Sequence, residues 1–414
     1  MFRKMMSFRK TRACTLSLAI LTVVAPASAE LGEGLTPMGA ELAGNAEGTI
    51  PPWTGGIIGM PTGWKQGDPR PNPFAGEAKL FTIDASNADQ YRNQLSPGQM
   101  AMLQDYDGYR MDIYPSHRSC AYPQEVYDRT AANLTEAAMD SSGAVAAGYG
   151  GVLFPIPENG WEVITNHRTA FRGVGSRHMI TTVVKQSGGG NKIYRGETQV
   201  YVPMYAPETQ SFDDTDGYMS KFVYTAKYPV KSAGTMGLVH EFFGRTRDSW
   251  AYLPGLRRVR KAPTIAYDNP AAGQDGLRTF DQTGMFNGEG DRYEWELLGK
   301  QELYVGYNGW KFRNPDLSVE DIVGVRYASR DLARYELHRV WNVRATLKPN
   351  FRNIFTRRDF YVDEDSWNIV QADLYDARGE LWRTQEAHML VAAELPACVG
   401  VAGFYYDLKA DLYV

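Results

Sequence analysis

Two stretches decide the fold: RYELHRVWNVRATLKP at 334–349 and RRDFYVDEDSWNIVQADLYDARGELWR at 357–383. In the first, Leu337, Trp341, Val343, Ala345 and Leu347 share one face of a strand over Tyr335 to Leu347. His338, Asn342, Arg344 and Thr346 take the other face, because side chains on a strand alternate with period two. The second stretch predicts strands over Asp359 to Val362, Trp367 to Tyr375 and, running on, Glu380 to Ala387. Asp363-Glu364-Asp365-Ser366 and Asp376-Ala377-Arg378-Gly379 separate them and carry turn chemistry. Connections this short imply antiparallel pairing. No strand-helix-strand alternation is present, which excludes a doubly wound nucleotide fold.

Upstream, RYEWELL at 292–298 points Tyr293, Trp295 and Leu297 one way and Glu294 and Glu296 the other. Further strands are expected near 176–185, 192–204, 219–228, Val239 to Phe243 and Ser249 to Leu253. Helices are expected over Asn87 to Gln94, from Ser96-Pro97 to Asp107-Gly108, and on one face of Pro123 to Met139. Ser96 is an N-cap residue followed by proline at the first helical position. Residues 31–76 are rich in Gly and Pro and read as an extended arm, anchored by Trp53, Trp64 and Phe74. The expected organisation is a signal peptide over 1–29 and one domain over 30–414. That domain divides into the arm (30–76), a helical part (77–145) and an antiparallel sheet (146–414).

The chain starts with Arg3, Lys4, Arg9, Lys10 and Arg12, then an apolar run from Leu16 to Ala25, then Ala27-Ser28-Ala29. This is the three-part pattern of a secretory leader, and the apolar run is too short to span a bilayer. Cleavage near Ala29-Glu30 removes five positive charges and no negative ones, taking the net charge from -4 to -9. An acidic protein of this kind is not a sequence-independent nucleic-acid binder. Cys120 and Cys398 remain after cleavage. In an oxidising compartment an even count predicts a disulfide, the alternative being two separate buried thiols. No segment after the leader is apolar enough to cross a membrane, so the mature protein is expected to be soluble or peripheral.

The catalytic inventory is thin. His240-Glu241 lacks the second His of a zinc-protease helix, and Gly173-Val174-Gly175-Ser176-Arg177 does not form a nucleophile elbow. The histidines show no metal-ligand spacing, so no metal, cofactor or catalytic residue is assigned. Asp213-Asp214-Thr215-Asp216-Gly217 lacks the spacing of a calcium loop and reads as a solvated turn. Asp363-Glu364-Asp365 likewise reads as turn residues. The basic run Arg257, Arg258, Arg260 and Lys261 is either a partner or lipid head-group contact, or a strand edge kept soluble by charge. Trp250, Tyr252, Trp295, Leu297, Leu337, Trp341, Val343, Val370 and Leu374 form the candidate hydrophobic site. Periodicity leaves two readings open: a concave face that holds a lipid chain, and a filled core. The loop over 262–288, with Gly273, Gly276, Gly284 and Gly288, is a candidate mobile lid.

LTPMGAELAGNAEGTIPPWTGG (35–56), YRMDIYPSHRSCAYP (109–123), GGVLFPIPENGWEVITNH (150–167) and DSWAYLPGLRRVRKAPTIAYDNP (248–270) resemble the DUF1329 family of Gram-negative exported proteins. So do MFNGEGDRYEWELLGKQELYVGYN (285–308) and the two stretches quoted first. That family is similar to the LolA/LolB-like outer-membrane lipoprotein-sorting proteins. The resemblance implies a mainly β (α+β) fold: a curved, incomplete antiparallel barrel with helices as a lid. It implies a periplasmic, non-enzymatic carrier of a lipid or other hydrophobic molecule, working between an RND/MMPL-type exporter and a DUF1302-type outer-membrane protein. The alternatives are an adaptor subunit of such an export system, docking through 257–261, and a hydrolase of envelope lipid or glycan.

Overall fold

The computed structural model describes residues 31–262 and 267–414. The leader pattern and its cleavage point lie outside the described residues. The first part of the chain contributes β1 (Phe81–Ile83), α1 (Pro97–Asp105), β2 (Met111–Ile113) and α2 (Gln124–Glu136). A short ribbon of β3 (Ala138–Met139) and β4 (Val145–Ala147) and the helix α3 (Gly160–Thr169) follow. Ser96 caps α1 in a reciprocal capping box with Gln99, as its place before Pro97 predicts.

Six strands then form one antiparallel sheet: β5 (Gly175–Lys185), β6 (Asn191–Tyr201), β7 (Tyr218–Tyr228), β8 (Met236–Phe242), β9 (Asp248–Leu253) and β10 (Arg258–Lys261). They are neighbours in chain order; the connections are short except that between β6 and β7, which runs over residues 202–217 and holds two 3-10 turns.

A second, larger sheet takes the rest of the chain. It holds β11 (Tyr293–Gly306), β12 (Tyr335–Leu347), β13 (Arg357–Asp363), β14 (Ile369–Tyr375), β15 (Leu381–Ala392), β16 (Ala397–Asp407) and β17 (Leu412–Tyr413). The one-turn helix α4 (Val319–Ile322) lies in the β11–β12 connection. β1 and β2 join this sheet, with a single parallel bridge from Ile113 to Tyr335. The expected mainly β, open antiparallel architecture is therefore present, divided between two sheets, and neither closes into a barrel.

The larger sheet is covered on both sides. α3 packs on β11, β12 and β13, and α1 packs on β14 and β15. Close approach is what seats these helices. A Cβ on Gly160 would stand 2.8 Å from a Val343 methyl, and one on Gly98 would stand 2.1 Å from the Asp373 carboxylate. The arm is sewn down by backbone and indole hydrogen bonds: Ile57 N–H donates to Ser119, Trp53 Nε1 to Cys120, and Trp367 Nε1 to the carbonyl of Met38. Cys120 and Cys398 are joined in a disulfide with Cα atoms 5.6 Å apart. It ties the connection between β2 and α2 to β16.

Candidate functional site

The structure does not gather the predicted hydrophobic residues into one cavity. Val343, Val370 and Leu374 are fully buried and Leu337 nearly so, all inside the core of the larger sheet. Trp295 is enclosed by aromatic rings: Trp161 at 5.0 Å, Phe286 at 5.5 Å and Phe360 at 6.1 Å between centroids. Its indole N–H donates to Gly290. Leu297 packs against the same cluster. Trp341 lies between the Trp367 ring, stacked at 6.1 Å, and the Lys300 ammonium, 4.6 Å from its centre. On this sheet the filled-core reading holds. Alternation names a face; it says nothing about what covers that face.

The candidate lid is also packed. In the described part of 262–288, Thr279, Asp281, Gln282, Met285 and Phe286 are buried. Asp281 accepts a 2.5 Å ion pair from the fully buried Arg358. Leaving either charge unpaired costs several kcal/mol, about 3–5 for removal of one partner. Residues 279–288 are a plug rather than a gate.

Trp250 and Tyr252 lie elsewhere, on β9 of the six-stranded sheet, and there the picture reverses. Pairing sets Trp250 beside Leu238, Leu238 beside Val223, and Tyr252 between Met236 and Val259. Residues paired across strands share a face, so these six side chains form one apolar patch. None of them is buried, and Leu238 (39%) and Val259 (65%) are exposed. The opposite face carries Val239, Glu241 and Ser249, all buried; Glu241 accepts from Asn287 of the plug. The apolar patch therefore looks outward, along the edge where Arg257, Arg258, Arg260 and Lys261 are also exposed.

A surface cleft of about 450 Å³ opens between the arm, the turn at Ala88–Gln94 and β11. Its walls mix Glu47, Gln90, Gln94 and Glu302 with Tyr91, Tyr304 and Leu337. Leu337 is the one predicted pocket residue that reaches it.

Sequence reasoning missed a buried ionic cluster. Asp363, Glu364 and Asp365, expected as turn residues, are all buried at the end of β13. Their counter-charges come from distant segments. Arg118 donates to both oxygens of Asp365, at 2.9 and 2.7 Å. Glu364 receives Arg339 and Lys300, each at 2.7 Å. Asp363 Oδ2 accepts from Tyr307 and Ser366, while its Oδ1 has no hydrogen bond and faces His338 Nδ1 at 3.8 Å. The other ring nitrogen of His338 meets Glu336 at 3.2 Å. Burial, with the neighbouring Asp365 carboxylate, pushes the Asp363 carboxyl up to about 6. Burial works against the imidazolium of His338, but Glu336 and the aspartates outweigh it and hold its pKa above the usual histidine value. His338, Asp363 and Asp365 place ligand-type atoms within 4.8 Å of one another. Arg118 already supplies the positive charge at Asp365 that a cation would bring. The set fits an internally neutralised ion-pair network.

A second buried set joins Arg330, Tyr109, Tyr335, Glu386 and His388, with Glu386 held down at about 2; burial opposes this, and Arg330 and His388 prevail. Glu336 and Glu386 each meet a histidine two residues on, but Asp365 and Glu364 find Arg118 and Arg339 far along the chain, which no local pattern marks.

An open β protein with a sealed main sheet, a buried ionic interior and one outward apolar sheet face is the class these features define. The chain belongs to the family described as "Protein of unknown function (DUF1329)", whose model matches residues 82–414. It is 41% identical, over 97% of its length and 88% of the relative's, to "Uncharacterized protein PA3922" of Pseudomonas aeruginosa. Among solved structures it is similar to a putative outer membrane lipoprotein-sorting protein domain from Vibrio parahaemolyticus. That match has TM-score 0.42 and 14% identity, and covers 61% of this chain and 86% of that one. A DUF1329 family protein from Desulfovibrio piger matches at TM-score 0.41 and 14% identity, covering 61% and 87%. The LolA superfamily protein NE2245 from Nitrosomonas europaea matches at 0.36 and 11%, covering 62% and 90%.

Proposed function

We propose that this protein is a non-enzymatic carrier in the Gram-negative periplasm that holds a lipid or other hydrophobic molecule on its six-stranded sheet. One observation carries the reading: the outward patch of Trp250, Tyr252, Leu238, Met236, Val223 and Val259. An apolar patch of in-register side chains on a protein whose main core is closed marks a binding surface. An acyl chain laid along it gains about 0.8 kcal/mol per buried CH₂, so a chain of ordinary length needs no deep cavity for micromolar affinity. The secretory pattern over 1–29 supports the compartment. No helix among the described residues is long and apolar enough to cross a membrane. The route, from an RND/MMPL-type exporter to a DUF1302-type outer-membrane protein, is the one the family resemblance implies.

Native mass spectrometry of protein purified from its own periplasm, followed by lipid extraction, tests this. A stoichiometric hydrophobic adduct is expected. A bare polypeptide mass, unchanged after incubation with envelope lipid, would overturn it. That outcome would favour the second reading, an adaptor on an exporter, which draws on the exposed basic edge strand β10.

A further inference from the structure

Three hairpin tips stand together at one end of the six-stranded sheet. They are residues 186–190 between β5 and β6, 229–235 between β7 and β8, and 254–257 between β9 and β10. Antiparallel pairing forces this, since Arg195 pairs Tyr228 and Met236 pairs Tyr252. The last two tips touch: a Cβ on Gly234 would lie 3.2 Å from the Pro254 ring.

These tips combine two chemistries that rarely share a surface. Val230 is 86% exposed and Leu256 51% exposed, each at the apex of its hairpin. Around them stand Lys227, Lys231, Arg257, Arg258 and Arg260, all exposed. No Asp or Glu occurs in residues 226–238 or 249–262. Among the described residues, the ion pair at this end is Lys192 with Asp275; none of the five cations just named forms an ion pair, and Lys227 acts on Glu197 only at longer range. This end is strongly positive on a chain whose net charge is -4.

We infer that this end of the sheet docks on an anionic lipid bilayer. Val230 and Leu256 enter the acyl boundary while the surrounding Lys and Arg side chains meet phosphate head groups. A bilayer offers an apolar layer beneath an anionic one, in the same order as the apolar apices and the cations behind them. Long basic side chains reach sideways to head groups while their stems stay in apolar surroundings. Val230 and Leu256 are exposed at neighbouring hairpin tips with cations beside them, which suits an apolar layer bordered by anionic head groups. The excess of negative charge on the rest of the molecule orients it tips-first towards the same surface. This inference goes beyond the carrier reading and does not need it: docking requires no cargo.

Co-sedimentation of the purified protein with vesicles provides the test. Binding to phosphatidylethanolamine vesicles containing phosphatidylglycerol is expected to exceed binding to phosphatidylcholine vesicles by about tenfold or more, and to fall as salt rises. R257E/R258E/R260E is expected to bring binding to the phosphatidylcholine level. V230D/L256D is expected to weaken binding at low salt while the salt dependence persists. Both variants alter exposed tips, and an unchanged thermal midpoint confirms their folding. Equal wild-type binding to both vesicle types, or undiminished binding by the folded triple variant, would overturn the inference, an acidic protein partner then being the occupant. Leu238→Asp, on the ligand face, should leave vesicle binding unchanged, which separates this test from that of the carrier.

Discussion

In the larger sheet every residue of Ile369–Tyr375 is buried, on both faces; in the six-stranded sheet only the last two residues of Gly175–Lys185 are. Both strands alternate, both belong to antiparallel sheets, and both lie in one chain. The difference lies in what covers them. The larger sheet has α1, α3, the arm and the plug laid over it, so even its polar face is sealed and must satisfy its charges internally. The six-stranded sheet is covered only in part: Val239, Glu241 and Ser249 are buried on one face of its middle strands, while Gly175–Thr181 and Arg258–Lys261 are exposed throughout. Its stability comes from ladder hydrogen bonds and partial burial, and its bare apolar side chains are free for something else.

That contrast can be broken at its most costly point first. Arg118→Met should remove the two hydrogen bonds on Asp365 and leave buried carboxylates unpaired, lowering stability by about 3–5 kcal/mol. Urea unfolding followed by circular dichroism measures it. Phe360→Ala, in the sealed core, should cost about 3–5 kcal/mol. Reducing the Cys120–Cys398 link, which spans a sequence separation of 278, should cost up to about 5 kcal/mol less any native strain. Leu238→Ala, on the bare face, should cost under about 1 kcal/mol in the same assay. If Leu238→Ala and Phe360→Ala cost the same, the division between a sealed and an open sheet fails.

A pH series sharpens the contrast further. The folded Asp363 carboxyl titrates near 6 against an ordinary 3.8, so the folded state binds more protons than the unfolded one between those values. His338, raised as well, acts in the same direction. The contribution of Asp363, and of Asp373, whose carboxyl burial also pushes up to about 6, should therefore fall as pH rises from about 4 through 6, and that of His338 above the ordinary histidine range. Asp363→Asn should flatten that fall, read from urea midpoints across the range. Glu386 acts oppositely, because its stabilisation is lost only as pH falls towards 2.

Much of the strand order was legible. The strand over Tyr335 to Leu347 runs between the residues its alternation gives, and the Asp376-Ala377-Arg378-Gly379 turn stands exposed with Gly379 at φ 77°. The helix Gly160–Thr169 was missed because β-branched Val163, Ile164 and Thr165 weaken its helical signal. Asn159 followed three residues later by Glu162 was the available clue, and Asn159 does accept from the Glu162 N–H. The strand Ala397–Asp407, interrupted by Gly400 and Gly403, gave little alternation to follow. At the candidate site, Trp250 and Tyr252 lie on an outward apolar face of the six-stranded sheet, apart from the other predicted residues. The other predicted residues share the same pattern and end in a filled core. Alternating periodicity is identical for a covered and an uncovered face, and the covering pieces come from distant parts of the chain.

On the proposed function, ligand binding belongs to the outward apolar face of the six-stranded sheet. Titrating a fluorescent fatty acid into the wild-type protein and into Leu238→Asp tests it most directly. The folded variant is expected to lose affinity by about tenfold or more, since a carboxylate placed under an acyl chain must be desolvated. Undiminished affinity in Leu238→Asp, with its thermal midpoint unchanged, would contradict it.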